Sequence, residues 1–162
     1  MQRKTALQLT LAVLLLNVGI LLSPRLFQRQ MPPLRVVFLD VGQGDSCVIQ
    51  TPKGQVMVVD TGNRSLTGQD DMGRRVVAPY LRSLGVQRID LLLLTHPDSD
   101  HIGGAISLLE QFPVGILESN GQDTRPLQNE VVQQAKQRYV TLHHAAKGED
   151  IELDGVRVQV LA

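Results

Sequence analysis

Residues Leu91–Gly104 read "LLLLTHPDSDHIGG": four leucines run into two histidines and two aspartates within six residues, and two glycines follow. A near-continuous apolar run of this kind, "RIDLLLLT" in full, is the signature of a strand buried on both faces of a sheet. The ionisable residues His96, Asp98, Asp100 and His101 then fall on the loop that leaves it. In α/β proteins such loops are held by a rigid scaffold and carry the chemistry. Imidazole and carboxylate together suit Zn²⁺, Mn²⁺ or Fe²⁺, and the absence of thiolates argues against a structural cysteine site. Side chains at 96, 98 and 100 can converge, while the adjacent pair 100 and 101 can address two different ions. Two ions about 3.5–4 Å apart clamp a phosphoryl group and activate a water. The plainer alternative is a capped turn, since Asp and Ser cap helices and populate loops. Gly103 and Gly104 let backbone crowd the loop and open the next helix, whose positive end favours an anion.

Outward from this loop, the chain alternates. "RVVFLDV", "SCVIQT" and "QVMVVD" read as strands joined by the turns "GQGD" and "PKG". "MGRRVVAPYLRSLGV" has helical spacing, with Pro79 marking a start or a kink. "AISLLEQF" and "PLQNEVVQQAKQRY" are helices, and "VGILES", "YVTLHH", "DIELD" and "VRVQVL" are strands, the last two a hairpin at Asp154-Gly155. The fold class is therefore mixed α/β, a sheet covered by helices.

Composition fits a globular chain: 162 residues, 43% hydrophobic and 20% charged. Aromatics are only 3%, which leaves few stacking platforms for single-stranded nucleic acid. The net charge of zero conceals an asymmetry. Residues 1–35 carry five basic and no acidic residues, and the rest of the chain has a net charge of −5. Such a body meets a polyanion only through a local basic patch or bound metal. Arg74, Arg75, Arg82 and Arg88 read as a solvated helix face or as that patch. Cys47, alone, excludes an intramolecular disulfide and reads as a small buried apolar residue.

At the amino terminus, "MQRK" precedes an apolar run over 5–22. Its 18 residues span roughly 27 Å as a helix, enough for a hydrocarbon core. No A-x-A pattern follows, and the run exceeds a signal-peptide core, so an uncleaved single-pass membrane anchor is preferred over a secretory signal or a buried helix. The expected organisation is an N-terminal segment 1–22, a Pro-containing linker 23–34 and a domain 35–162. The domain is expected outside the cytoplasm, anchored or, alternatively, secreted.

"THPDSDHIGG" resembles the H-x-H-x-D-H metal motif of the metallo-β-lactamase superfamily, with aspartate in place of the second histidine. "FLDVGQGDSCVIQTPKGQVMVVDTG" and "GRRVVAPYLRSLGVQRIDLLLLTHPDSDHIGG" resemble the hydrolase domain of ComEC-type competence proteins, the bacterial DNA-uptake channel family. The resemblance covers about residues 35–162 and implies a metallo-β-lactamase-like αββα sandwich with two divalent ions, zinc or manganese. It places His96 and Asp98 on the first ion and Asp100 and His101 on the second, with Asp100 also handling the proton of the attacking water. Asp60 of "VVDTG" would support the loop from behind, and Asp40 and Asp45 of "LDVGQGDS" would border the site. An Asp in place of His adds a harder oxygen ligand and tilts preference toward Mn²⁺. The implied activity is phosphodiester hydrolysis of nucleic acid, DNA above all, in the setting of the DNA-uptake machinery. Hydrolysis of another ester or thioester and a non-catalytic accessory role are the alternatives. The superfamily's later ligands, a further histidine, a bridging aspartate and a final histidine, have no match here. His143 and His144 read as surface or strand-end residues, and the domain is expected to be a fragment of a longer fold.

Overall fold

The computed structural model describes residues 33–65, 70–121 and 125–161, together with 8, 10–15 and 17. The chain divides into two compact units, Met1–Met31 and Pro32–Ala162. In the first, the described residues are helical, and most of the apolar run 5–22 lies outside the described residues, as does the linker 23–34 apart from Pro33 and Leu34. Among the described residues no helix is long and apolar enough to cross a membrane.

The second unit is built on a six-stranded sheet in the order β1 (Arg35–Phe38), β2 (Cys47–Gln50), β3 (Val56–Val59), β4 (Ile89–Leu94), β5 (Val114–Ser119) and β6 (Thr141–His144). The first three strands are antiparallel neighbours, as tight turns permit. From β3 to β6 every pairing is parallel, because helical crossovers intervene. A hairpin of β7 (Asp150–Leu153) and β8 (Val156–Gln159) forms a second, small sheet. Its turn uses Asp154 and Gly155 with φ of 58° and 82°, the left-handed pair that a two-residue hairpin demands. The Asp154 carboxylate also accepts from Thr51 Oγ1 at 2.9 Å and pairs with Lys53 at 3.1 Å, tying the hairpin to the β2–β3 turn.

The leucine run is β4, and it is buried on both faces as its composition requires. Leu92 and Leu94 join the helix-facing core, with Leu81, Leu108, Leu117 and Val131. Leu91 joins Met57 and Leu153 under the hairpin. Each buried leucine contributes about 2 kcal/mol by removing its surface from water. The helices α1 (Ala78–Ser83), α2 (Ser99–Ile102), α3 (Ala105–Gln111) and α4 (Pro126–Gln137) follow the strands. In α4, Gln128, Val131, Val132 and Ala135 share the buried stripe, and Pro126 occupies the first turn where its missing N–H costs nothing.

The start or kink expected at Pro79 takes the form of a division of the helix. Gly73–Val77 is π-helical, with the Ala78 amide donating to Gly73 O, and α-helix begins only at Ala78. Proline has no N–H for the carbonyl four residues back and clashes with it, so the turn before it widens. The short α2 is a further difference: it occupies part of the segment read as loop.

Candidate metal centre

Parallel strands β3 and β4 pair Val59 with Leu93, so both reach their C-terminal ends side by side. Asp60 follows the first and Thr95–His101 follows the second, which places "VVDTG" beneath "THPDSDH". Each residue of that first segment has a task. Asp60 adopts φ 56°, a left-handed conformation that few non-glycine residues tolerate, Asp and Asn among them. Its Oδ1 accepts the Thr95 amide at 2.9 Å and its Oδ2 accepts Thr95 Oγ1 at 2.6 Å. Thr61 donates to His101 O from its amide at 2.7 Å and its hydroxyl at 3.0 Å. Gly62 takes φ 69° and donates to Asp45 O.

His101 is held most tightly. Its Nδ1 lies 2.9 Å from Asp60 Oδ2, and the Asp60 side chain is almost entirely buried. A ring that donates from Nδ1 to a carboxylate keeps its Nε2 lone pair for a ligand, the arrangement that orients metal-binding histidines. Nε2 faces Asp45 Oδ2 at 3.9 Å and Asp100 Oδ2 at 4.0 Å. The His96 ring is tilted by 48° against that of His101, their centroids 3.6 Å apart, and its own Nδ1 is 3.1 Å from Thr95 Oγ1. One ligand atom each from His96, Asp100 and His101 lies within 4.8 Å of the others. The separations of 3.9 and 4.0 Å from His101 Nε2 to Asp45 and Asp100 exceed hydrogen bonds and suit groups that share an ion. Two imidazoles among carboxylates form a donor set that fits Zn²⁺ or Mn²⁺.

The remaining sequence-read residues divide. Asp98 precedes α2, its carbonyl accepting the His101 and Ile102 amides. Its Oδ2 is 3.8 Å from His96 Nε2, yet its Oδ1 is gripped by Arg125 at 2.6 Å. It thus stands beside the compact trio with one oxygen already engaged. Asp45 stands at the edge of the trio, its exposed carboxylate 3.9 Å from His101 Nε2. Asp40 is exposed and accepts the Gly42 amide at 3.2 Å, a turn-forming role with no described contact to the trio.

Backbone crowding explains the glycines. A Cβ on Gly44 (φ 118°) would sit 2.0 Å from Asp100 O, so the "GQGD" turn closes directly onto the loop. Gly73 and Gly104 meet back to back, a Cβ on either reaching the other's backbone within 2.3 Å. The Gly104 amide, at the start of α3, is already donated to Thr61 Oγ1 and Gly62 O.

Arg74, Arg75 and Arg88 pair with Glu110, Asp70 and Asp90, while Arg82 bonds Gln111 and covers Phe112. These four are a solvated face. The basic residues beside the loop are Arg64 and Arg125, which sequence spacing did not single out. They line a cleft of about 720 Å³ with Pro97 and Ser99. His143 is half-exposed at the end of β6, its Nδ1 3.1 Å from Glu118 Oε1. His144 Nδ1 lies 3.5 Å from Ser119 Oγ. Neither histidine is in the His96 trio.

This fold and loop are those of a known family. The metallo-beta-lactamase superfamily model matches residues 39–161, and the chain belongs to that superfamily. Among curated proteins the chain is similar to ComE operon protein 3 of Bacillus subtilis, 29% identical over 78% of this chain. It is also similar to Recombination protein 2 of Haemophilus influenzae, 34% identical over 69%, and to Competence protein ComA of Neisseria gonorrhoeae, 38% identical over 43%. The chain spans 18%, 13% and 9% of those relatives' own lengths. Among solved structures, a diphosphatase of the PhnP family aligns with a TM-score of 0.46 at 22% identity, over 70% of this chain and 41% of that one.

Proposed function

We propose that the chain is a metal-dependent hydrolase that cleaves phosphodiester bonds in nucleic acid, DNA in particular. The observation that carries this reading is the Asp60–His101 contact, which leaves an imidazole nitrogen directed at two carboxylates. His96, Asp98, Asp100 and His101 would hold two divalent ions, Zn²⁺ or Mn²⁺. Such ions, when bound, supply positive charge at the phosphorus and lower the pKa of a water. Asp60 fixes the His101 ring, Thr95 steadies His96, and Asp100 holds the proton of the attacking water. Arg64 and Arg125, paired in this structure with Glu130 at 2.9 Å and Asp98 at 2.6 Å, place two guanidiniums on the adjoining cleft, and a phosphate would compete with those carboxylates for them. The names of the similar proteins, with competence and recombination among them, support nucleic acid over other esters. We further propose that 1–22 anchors the protein in the membrane, that 23–34 is a linker and that the domain from residue 35 works outside the cytoplasm, within DNA-uptake machinery.

The test compares hydrolysis of duplex DNA, single-stranded DNA, bis-p-nitrophenyl phosphate and a thioester by the chain supplied with Mn²⁺ or Zn²⁺. The reading expects the phosphodiesters to be cleaved, the thioester to be spared, and Asp100→Asn to abolish turnover. Folded, metal-loaded protein that cleaves none of the phosphodiesters would point instead to an accessory role.

A further inference from the structure

Pro126 forces the residue before it into an extended conformation, and Arg125 stands there with φ −89° and ψ 138°, at the start of α4. Asp98 is likewise extended, with φ −84° and ψ 147°, at the start of α2. Their side chains meet, one Arg125 guanidinium nitrogen lying 2.6 Å from Asp98 Oδ1. That oxygen is shielded from solvent yet meets no donor in hydrogen-bonding geometry, so the guanidinium holds it by charge alone. A covered carboxylate oxygen without a directed donor is poorly compensated for the water it has lost. The other oxygen, Oδ2, lies 3.8 Å from His96 Nε2, beside the trio of His96, Asp100 and His101. Asp98 therefore faces the loop histidine with one oxygen and is covered by a cation on the other.

Arg125 is no better matched. The first turn of α4 carries no acidic residue, and a cation at the positive end of a helix is unfavourable. Its side chain is 59% exposed, and it lines the cleft with Arg64, Pro97 and Ser99. A phosphodiester in that cleft offers two oxygens to the guanidinium fork, where Asp98 offers one.

We propose that Arg125 is a latch on Asp98 that the substrate's own phosphate opens. This rests on the hydrolase reading above and adds regulation to it. A backbone phosphate of the nucleic acid draws Arg125 into the cleft, and Asp98 Oδ1 is left free for a divalent ion beside His96. Without substrate, the guanidinium holds Asp98 back. Binding of substrate and of the ion are thereby coupled, and the coupling is reciprocal, each tightening the other by the same factor.

The experiment is a double-substitution cycle on the full chain in excess chelator, read by fluorescence anisotropy of a labelled single-stranded oligonucleotide. Asp98→Asn is expected to tighten binding by up to about fivefold, the ceiling for an exposed ion pair. The gain should exceed that of Asp45→Asn, which removes a carboxylate that no arginine pairs with among the described residues. Arg125→Ala is expected to weaken binding, and in its presence the gain from Asp98→Asn should shrink to that of Asp45→Asn. A gain of equal size with and without Arg125 would overturn the latch. Saturating Mn²⁺, with a cleavage-resistant phosphorothioate oligonucleotide, is expected to tighten binding more in the wild type than in Arg125→Ala. Equal tightening would overturn the link to the ion. Hydrolysis of bis-p-nitrophenyl phosphate by the wild type scores the hydrolase reading separately. Turnover together with an additive cycle rejects the latch alone, whereas a folded, Mn²⁺-loaded chain that neither binds the oligonucleotide nor turns over rejects both.

Discussion

Asp60 Oδ2 and His101 Nδ1 are 2.9 Å apart, joining the end of β3 to the loop after β4 across 41 residues of sequence. The contact matters because the same carboxylate also takes both Thr95 donors. One buried side chain thereby sets the orientation of a histidine and the exit path of the strand that precedes it.

Replacing that carboxylate with an amide tests its role. Asp60→Asn keeps the size and the tolerance for φ 56° but removes the charge that orients the ring. Loss of an outer partner of this kind typically lowers metal affinity by about 10–100-fold. Competition against a chelator should register that drop, with the far-UV spectrum unchanged.

The close approach of the "GQGD" turn makes a different prediction. Gly44→Ala must move the Asp100 backbone or the turn, since the added Cβ falls 2.0 Å from Asp100 O at a φ of 118°. Strain of this kind costs about 1–3 kcal/mol. Urea unfolding should show the loss, and metal affinity should fall with it. An alanine that left both unchanged would mean the turn does not seat on the loop.

Arg125 competes with any cation for Asp98. Its guanidinium lies 2.6 Å from Oδ1, but the side chains are 59% and 42% exposed. A pair that open to solvent contributes about 1 kcal/mol at most. Arg125→Ala should therefore raise divalent-ion affinity by about fivefold or less, and weaken binding of phosphodiester substrate. Raised salt should shrink the gain in ion affinity. Isothermal titration with and without added salt reads both effects.

The pH dependence of the metal-free protein follows from His143. Its pKa lies above the ordinary 6.5, first through the Glu118 hydrogen bond and charge and then through Glu149. A raised folded-state pKa means the pair's contribution to stability is fully present below 6.5 and is lost as pH rises through the folded value. In excess chelator, the stability difference between the wild type and His143→Gln should be largest in acid and shrink as pH rises. A difference that grew with pH would reverse the assignment of the protonated state.

Much of this molecule is legible in the residues because its local signals agree. The apolar run Ile89–Leu94 reads as a doubly buried strand, and Asp154-Gly155 reads as a tight hairpin turn. The four ionisable residues after β4 are readable because they crowd into one loop. What spacing does not carry is long-range pairing. Arg125 reaches Asp98 from the start of α4, and Glu118 meets His143 through a parallel register fixed by two crossovers. The π-helical turn before Pro79 was foreshadowed only as a break, since proline announces a disruption and not its form. Asp40 and Asp45 sit five residues apart in one motif, yet only Asp45 turns toward His101, a distinction set by the backbone of the intervening turn.

The most direct test of the central claim is pulsed electron paramagnetic resonance of Mn²⁺ bound to the His143→Gln chain, in which the loop supplies the histidine ligands under test. The account predicts ¹⁴N couplings from imidazole, weakened by His96→Ala and by His101→Ala and abolished when both are replaced. Mn²⁺ bound with no nitrogen coupling, or with couplings indifferent to both substitutions, would contradict it.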